Sequence, residues 1–71
     1  MNTELKTIPV KVGEELTVTP VERADKDYFT RINGYVVFLK GVNEEMEGEE
    51  VRVRISAVKE KFGFAVFLRY V

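Results

Sequence analysis

The chain of 71 residues contains no cysteine and no histidine, and these absences exclude several classes of function. Without cysteine there is neither a disulfide nor a thiol nucleophile, and without histidine the most frequent general base and zinc ligand are missing. The lack of cysteine also fits a reducing compartment. We therefore expect a protein that is not an enzyme, with no catalytic residue, no metal site and no cofactor.

Long apolar runs are absent too. No stretch approaches the roughly 20 residues of a membrane-spanning helix. The first ten residues, MNTELKTIPV, lack the charged region followed by an apolar stretch that marks a signal peptide. We therefore expect one soluble domain in the cytoplasm, without membrane contact.

The net charge of −1 hides an uneven distribution. Residues 1–50 carry six basic and eleven acidic side chains, whereas residues 51–71 carry five basic side chains and one acidic. The last third is thus a basic element on an otherwise acidic protein. Such a stripe attracts an anion while the remainder of the chain keeps its affinity modest.

Alternation of apolar and polar residues predicts five strands and no long helix. Residues 15–23 form the first, with a bulge or an edge at Pro20 because proline cannot donate to a sheet ladder. Residues 28–32 and 35–39 flank Asn33-Gly34, which favours a type I′ hairpin turn. Residues 40–48 read as a loop with room for one helical turn. Two further strands are predicted at 50–58 and 62–71. Together the five strands would close into an all-β barrel, which removes exposed sheet edges.

The last strand has apolar residues on both faces, so its period does not tell which face is core. Phe62 and Phe64 lie on one side, and Gly63 and Phe67 on the other. The two phenylalanines either fill the barrel or stack on nucleobases. Because Gly63 has no side chain, we expect its side of the strand to offer little packing, which favours stacking by Phe62 and Phe64. Arg69 falls on the Phe67 side, which predicts a bulge or a frayed end.

Basic side chains accompany these phenylalanines. Arg52 and Arg54 alternate with apolar residues and would lie about 7 Å apart on one strand face. They form either an ordinary solvated face or a phosphate track, and Lys59 and Lys61 continue the positive run. Five glutamates in residues 44–50 do not have the spacing of an EF-hand loop, so we expect a solvated acidic rim.

The predicted hairpin offers further candidates. Alternation places Tyr35, Val37 and Leu39 on one side and Val36 and Phe38 on the other, and we expect the second set to belong partly to the core. Tyr35 or Phe38 would add a stacking ring. Arg31 and Lys40, at the hairpin ends, are candidate phosphate contacts.

In this order, the runs VKVGEELTVTPVE, GYVVFLKG and GEEVRVRISAVKEKFGFAVF resemble the TRAM domain family over roughly residues 10–68. The resemblance implies a small five-stranded OB-like β-barrel at 10–71, after an N-terminal extension at 1–9, that binds RNA. The free-standing archaeal type, with a role like that of cold-shock proteins, is the closer match. KFGFAVF is also similar to the aromatic RNA-binding motif of cold-shock domains.

Three departures from the family pattern concern the first loop and the affinity rather than the fold. ADKDYFTRI contains no glycine, Lys40-Gly41 replaces a Pro-Gly pair, and NEEMEGEE is unusually acidic. We predict a monomeric RNA chaperone of low sequence specificity for single-stranded or loop RNA, including tRNA or mRNA, and a role in the cold. The alternative is a protein-interaction barrel that serves as adaptor for an RNA-modifying enzyme.

Overall fold

A computed structural model describes residues 8–71, which form one six-stranded sheet. The sheet order is β1-β5-β6-β4-β3-β2, and neighbours are antiparallel except β4 and β6, which run parallel. The all-β prediction is confirmed; most of the proposed N-terminal extension lies outside the described residues. The strands are β1 (Glu15–Val18), β2 (Glu22–Ala24), β3 (Asp27–Ile32), β4 (Tyr35–Lys40), β5 (Val51–Val58) and β6 (Phe62–Tyr70), with a 3-10 helix at Glu44–Met46.

The strand count is six rather than five because the expected strand at 15–23 is broken at Pro20. Its first part pairs with β5 and its second part with β3, at opposite edges of the sheet. Pro20 has no N–H to continue a ladder, and it is fully buried between the two parts. The break predicted there is confirmed.

The connection between β1 and β2 forces the sheet to curl. A flat sheet of six strands would separate its edges by about 24 Å. Four residue steps from Val18 to Glu22 reach at most about 14 Å. The sheet therefore curls into an open barrel, and the Gly48 N–H holds the connection by donating to the Pro20 carbonyl at 2.9 Å.

The β3–β4 hairpin turns at Asn33 and Gly34, whose φ angles are 51° and 86°. Positive φ at both central residues is the property of a type I′ turn, as the sequence predicts. The two-residue turn fixes the register, in which Ile32 opposes Tyr35 and Phe29 opposes Phe38. The turn thus decides which aromatic rings share a face.

The core lies on the inner face of the curled sheet, and on β4 it is the opposite set from the expected one. Tyr35, Val37 and Leu39 are buried, whereas Val36 and Phe38 point outward and are half-buried. Tyr35 is accommodated because its hydroxyl donates to the Lys59 carbonyl at 2.7 Å and accepts from the Lys59 N–H at 3.1 Å. The buried hydrophobic residues are Val10, Tyr28, Tyr35, Val37, Leu39, Val42, Met46, Val51, Val53, Ile55 and Ala65.

Gly63 is required for close packing on this inner face. A Cβ atom there would lie 2.8 Å from the Ala57 carbonyl oxygen and 3.1 Å from the Tyr35 ring. The expectation that the Gly63 side offers little packing is therefore wrong, because the Tyr35 ring occupies the space that a side chain would need. That side is the core, and Phe62 and Phe64 face away from it.

A bulge interrupts the pairing of β5 with β6. Val53 opposes Phe67, whereas Arg52 opposes Arg69, so Leu68 is the extra residue. The predicted bulge is confirmed, and it places Arg69 opposite Arg52. Among residues 8–71, no helix has the length and apolarity to cross a membrane.

Candidate nucleic-acid interface

The outer face of the sheet carries an aromatic cluster at its centre. Strand alternation turns Phe38 of β4 outward with Phe62 and Phe64 of β6, and the hairpin register adds Phe29 of β3. These four side chains, Phe29, Phe38, Phe62 and Phe64, are called the aromatic face below. They lie on three adjacent strands, β3, β4 and β6.

The four rings pack on one another while remaining accessible. The ring centroid of Phe38 lies 5.9 Å from Phe29 and 6.0 Å from both Phe62 and Phe64. Phe62 and Phe64 meet edge-on, with centroids 5.6 Å apart and planes at 89°. Such contacts fix the orientation of the rings without burying them completely. Phe62 stays 38% exposed, so the cluster offers ring surface to a ligand.

The structure brings together three of the four predicted aromatic residues. Phe62, Phe64 and Phe38 share the outer face, whereas Tyr35 is 3% exposed and lies on the opposite side. Phe29 was missed as a site residue. The register of a two-residue turn pairs it with Phe38, so the Asn33-Gly34 signal was sufficient to find it.

Arg52 and Arg54 lie on the same side of β5, as alternation predicts, and that side is the outer face; both are ion-paired. Arg54 Nη2 donates to Glu15 Oε2 at 3.2 Å, and Arg52 Nε lies 3.5 Å from Glu15 Oε1. Arg52 also donates from Nη1 to Thr17 Oγ1 at 2.9 Å. Its Nε is buried and makes no hydrogen bond within residues 8–71. One carboxylate from β1 thus serves two guanidinium groups.

The Glu15 carboxylate is held in its ionised form by the two arginines. The hydrogen bond from Arg54 lowers the pKa of Glu15, and the charges of Arg54 and Arg52 act in the same direction, against a smaller opposing effect of desolvation. A phosphate that approaches either arginine therefore meets a competing anion. Sequence spacing gave no sign of this, because Glu15 and Arg54 are 39 residues apart.

The opposite flank of the aromatic face repeats the arrangement with one arginine. Arg31 Nε lies 3.2 Å from Glu22 Oε1 of the edge strand β2, and its guanidinium lies 5.6 Å from the Phe29 ring centroid. Lys40 places its Nζ 5.2 Å from the Phe64 ring centroid, at the carboxyl end of β4. Both residues were predicted contacts, and both lie beside aromatic rings.

Lys59 and Lys61 occupy the connection between β5 and β6, directly before Phe62. The turn is tight, because the Lys59 N–H donates to the Phe62 carbonyl at 2.8 Å. Both side chains are exposed. The ion pairs formed within residues 8–71 include none of Lys40, Lys59 and Lys61. Three ammonium groups therefore remain available to phosphate.

The acidic residues 43–50, called the acidic loop below, lie at the other end of β5, about 26 Å from the 59–61 turn by strand rise. Within the loop, Glu44 accepts from Arg23 at 3.2 Å and Glu47 accepts from the Tyr28 hydroxyl at 2.8 Å. Burial, and then the hydrogen bond to Glu47, raise the pKa of Tyr28. The loop thus gives the molecule one acidic end and one basic end.

Known proteins resemble this chain in sequence and in fold. The TRAM domain model matches residues 7–68. An uncharacterised protein of Methanocaldococcus jannaschii is 47% identical over 62 residues, which cover 84% of this chain and 75% of that protein. The solution structure of a conserved protein of Methanococcus maripaludis has a TM-score of 0.76 at 36% identity, covering 93% of this chain and 91% of that one.

Ribosomal RNA large subunit methyltransferase E of Haloquadratum walsbyi is 40% identical over 60 residues. That match covers 83% of this chain but only 22% of the methyltransferase, so this chain spans about a fifth of its length. The sequence model, the archaeal relatives and the solved fold agree. The chain therefore belongs to the TRAM domain family, a family of RNA-binding domains.

Proposed function

We propose that the aromatic face binds single-stranded or loop RNA with low sequence specificity. The observation that supports the proposal is the position of four phenylalanine rings on an outer sheet face, with basic side chains around them. A core role for these rings is not available on that side, because the buried cluster lies on the inner face. A partly exposed aromatic cluster bounded by cations has the composition of a single-strand binding surface.

Stacking supplies the affinity that does not depend on sequence. Each base that stacks on an aromatic side chain contributes about 1–3 kcal/mol, and every base has a ring face to offer. Lys59 and Lys61 lie next to Phe62, and Lys40 lies over Phe64. Ammonium groups that form no ion pair within residues 8–71 therefore stand at both ends of the β6 part of the aromatic face. They contact phosphates without first breaking an ion pair.

The arginines contribute differently. A phosphate that binds Arg52 or Arg54 must replace part of the ion pair with Glu15. A phosphate that binds Arg31 must replace the ion pair with Glu22. The gain from each new ion pair is reduced by the one that it replaces. Binding is therefore moderate, which suits a protein that must release RNA.

A ligand that binds only unpaired RNA shifts the equilibrium toward the unpaired state. The protein then acts as an RNA chaperone without a catalytic step and without ATP. Because RNA duplexes are more stable at low temperature, such an activity has its largest effect in the cold. A cytoplasmic location fits an RNA ligand.

The test is a titration of isotope-labelled protein with a short oligouridine, followed by NMR at about 50 and 200 mM salt. Amide shifts should cluster on β3, β4 and residues 59–64 and weaken at high salt. Phe62→Ala should lower the affinity by about 5- to 150-fold, the equivalent of one stacked base. Tyr70→Ala is the matched control, since Tyr70 is 52% exposed but packs on Phe67, away from the aromatic face.

Two outcomes would contradict the proposal. The first is an absence of amide shifts at low salt. The second is an equal loss of affinity in Phe62→Ala and Tyr70→Ala, which would indicate a general effect on the fold.

A second candidate function is that of an adaptor for an RNA-modifying enzyme. It is favoured by the related segment that forms about a fifth of the ribosomal RNA methyltransferases. In that case the same face would bind a protein through apolar contacts, and binding would change little with salt, whereas phosphate contacts weaken steeply. The oligouridine titration above separates the two candidates, because a protein that serves only as adaptor would show no amide shifts with RNA at low salt.

A further inference from the structure

Two oppositely charged residues at the end of the β3–β4 hairpin, Asp27 and Lys40, do not form an ion pair with each other. Continuing the hairpin register by one residue from Tyr28 and Leu39 places Asp27 opposite Lys40, on the side of Phe38. Side chains at such positions have Cβ atoms about 4.5–5.5 Å apart and commonly form ion pairs. Here none of the ion pairs or side-chain hydrogen bonds within residues 8–71 includes the Asp27 carboxylate.

A cleft of about 170 Å³ adjoins both residues. Its lining is formed by Asp27, Phe38, Leu39, Lys40 and Phe64. Lys40 is directed toward the Phe64 ring, with Nζ 5.2 Å from its centroid. The cleft therefore combines ring surface with an acidic and a basic residue that form no ion pair within residues 8–71. It adjoins the aromatic face, of which Phe38 and Phe64 are members.

We propose that this cleft is a base-selective subsite that prefers guanine in single-stranded RNA, an inference that rests on the proposed function. The free Asp27 carboxylate accepts two neighbouring N–H donors, and guanine offers two on its Watson–Crick edge, at N1 and at the N2 amino group. The O6 acceptor beside them accepts from Lys40. The base ring lies against the phenylalanines.

The other bases satisfy this arrangement less completely. Adenine and cytosine each present one amino group as donor, and uracil presents one imino N–H, so one carboxylate oxygen of Asp27 keeps no base donor. A lost partner costs more in a cleft with apolar walls than in open water. Recognition by the Watson–Crick edge is available because the bases of a single strand are unpaired. The remainder of the aromatic face stacks any base, so selectivity is confined to one nucleotide position.

The experiment compares oligouridines that carry one central uridine, guanosine, adenosine, cytidine or inosine, with affinity measured by fluorescence anisotropy. The guanosine oligomer should bind about tenfold more tightly than the uridine, adenosine and cytidine oligomers, within the range of a bidentate base contact. Inosine lacks the N2 amino group and should lie between. The amides of residues 27, 38–40 and 64 should shift further with guanosine than with uridine.

The variant Asp27→Asn tests the carboxylate. An amide group offers one acceptor and two donors where the carboxylate offers two acceptors, so the ratio of guanosine to uridine affinity should fall to about one. Asp25→Asn is the matched control. It removes the same charge two residues away, at a position with φ of 62° that asparagine tolerates, and should keep the ratio of the wild type.

Equal affinity of the wild type for all five oligomers would overturn the subsite and leave the proposed function in place. Retention of the guanosine preference by Asp27→Asn would do the same. If no oligomer binds, the proposed function fails as well, so the two failures are distinguishable.

Discussion

The two faces of the sheet are both rich in aromatic rings, but Tyr28 and Tyr35 lie inside, whereas the four phenylalanines of the aromatic face lie outside. Tyr28 and Tyr35 are 1% and 3% exposed, whereas Phe62 is 38% exposed. This reverses the expectation from polarity, since the residue with a hydroxyl group is the one that is buried. The reason is that both hydroxyls have a hydrogen-bond partner at the rim of the barrel. Tyr35 bonds to the Lys59 backbone and Tyr28 to the Glu47 carboxylate.

The difference shows that the partner of a group, and not its polarity alone, determines burial. A buried hydroxyl with a hydrogen-bond partner costs little and fixes its ring in one orientation. The outer phenylalanines have no such anchor and are oriented by contacts with one another. The inner rings therefore hold the fold together, and the outer rings are free to contact a ligand.

The largest effect is expected for Gly63→Ala on the inner face. The added methyl group would lie 2.8 Å from the Ala57 carbonyl oxygen, part of the backbone, and should destabilise the fold by about 2 kcal/mol. Urea denaturation measures the change. The sign of the change in the free energy of unfolding shows whether the clash exists, because Gly→Ala at an unstrained position without a clash stabilises by about 0.4–1 kcal/mol. A stabilised variant would show that β6 does not pack tightly on Tyr35.

Tyr35→Phe should lower the free energy of unfolding by about 1 kcal/mol, because the Lys59 carbonyl loses its hydrogen-bond donor. RNA affinity should stay unchanged, since Tyr35 is not on the aromatic face. The reciprocal change, Phe38→Tyr, adds a hydroxyl on the outer face and should leave stability within about 0.5 kcal/mol. Loss of RNA affinity in Tyr35→Phe at unchanged stability would contradict the division between the faces.

Glu15→Gln should raise RNA affinity a few-fold, because Arg52 and Arg54 lose the carboxylate that competes with phosphate. The slope of log affinity against log salt should steepen by about 1 for each arginine that becomes available. Glu14→Gln is the control, since it removes the same charge from a residue that pairs with no arginine within the described chain. Equal effects of both variants would show that Glu15 influences RNA affinity only through the net charge of the protein.

The smallest effect is a decline of stability at alkaline pH. Because burial raises the pKa of Tyr28, the folded protein keeps a proton that the unfolded chain releases above a pH of about 10. The stabilisation of the fold by protonated Tyr28 is complete below that pH and decreases as the pH rises further. Thermal unfolding between about pH 9 and 11 should show a shallower decline for Tyr28→Phe than for the wild type. Identical slopes would exclude Tyr28 as the group responsible.

Local signals in the sequence predicted most of the fold, and pairing between distant residues explains what they missed. The Asn33-Gly34 turn and the alternation of Val51, Val53 and Ile55 depend on neighbours, and both predictions were correct. The choice of face on β4 depends on the Tyr35 hydroxyl reaching Lys59, 24 residues away. No periodicity contains that information.

The candidate site divides in the same way. Alternation within a strand is a local property, and it predicted that Phe62 and Phe64 share one face of β6 and that Arg52 and Arg54 share one face of β5. Glu15 was missed as a partner of both arginines because β1 reaches β5 only when the sheet curls. The sequence also gave no sign that Lys40 lies over the Phe64 ring of another strand and forms no ion pair with Asp27.

The strand that completes the curled sheet is also the one that occupies the arginines. β1 pairs only with β5 in the described sheet, and its partners come from far along the chain, so its docking closes a long loop and depends on β5 being in place. An edge strand of four residues is also among the first elements to open in local unfolding. Each opening removes Glu15 from Arg52 and Arg54. Exchange of the β1 amides with solvent and RNA affinity are thereby linked, and RNA that binds the freed arginines should speed the exchange of the β1 amides.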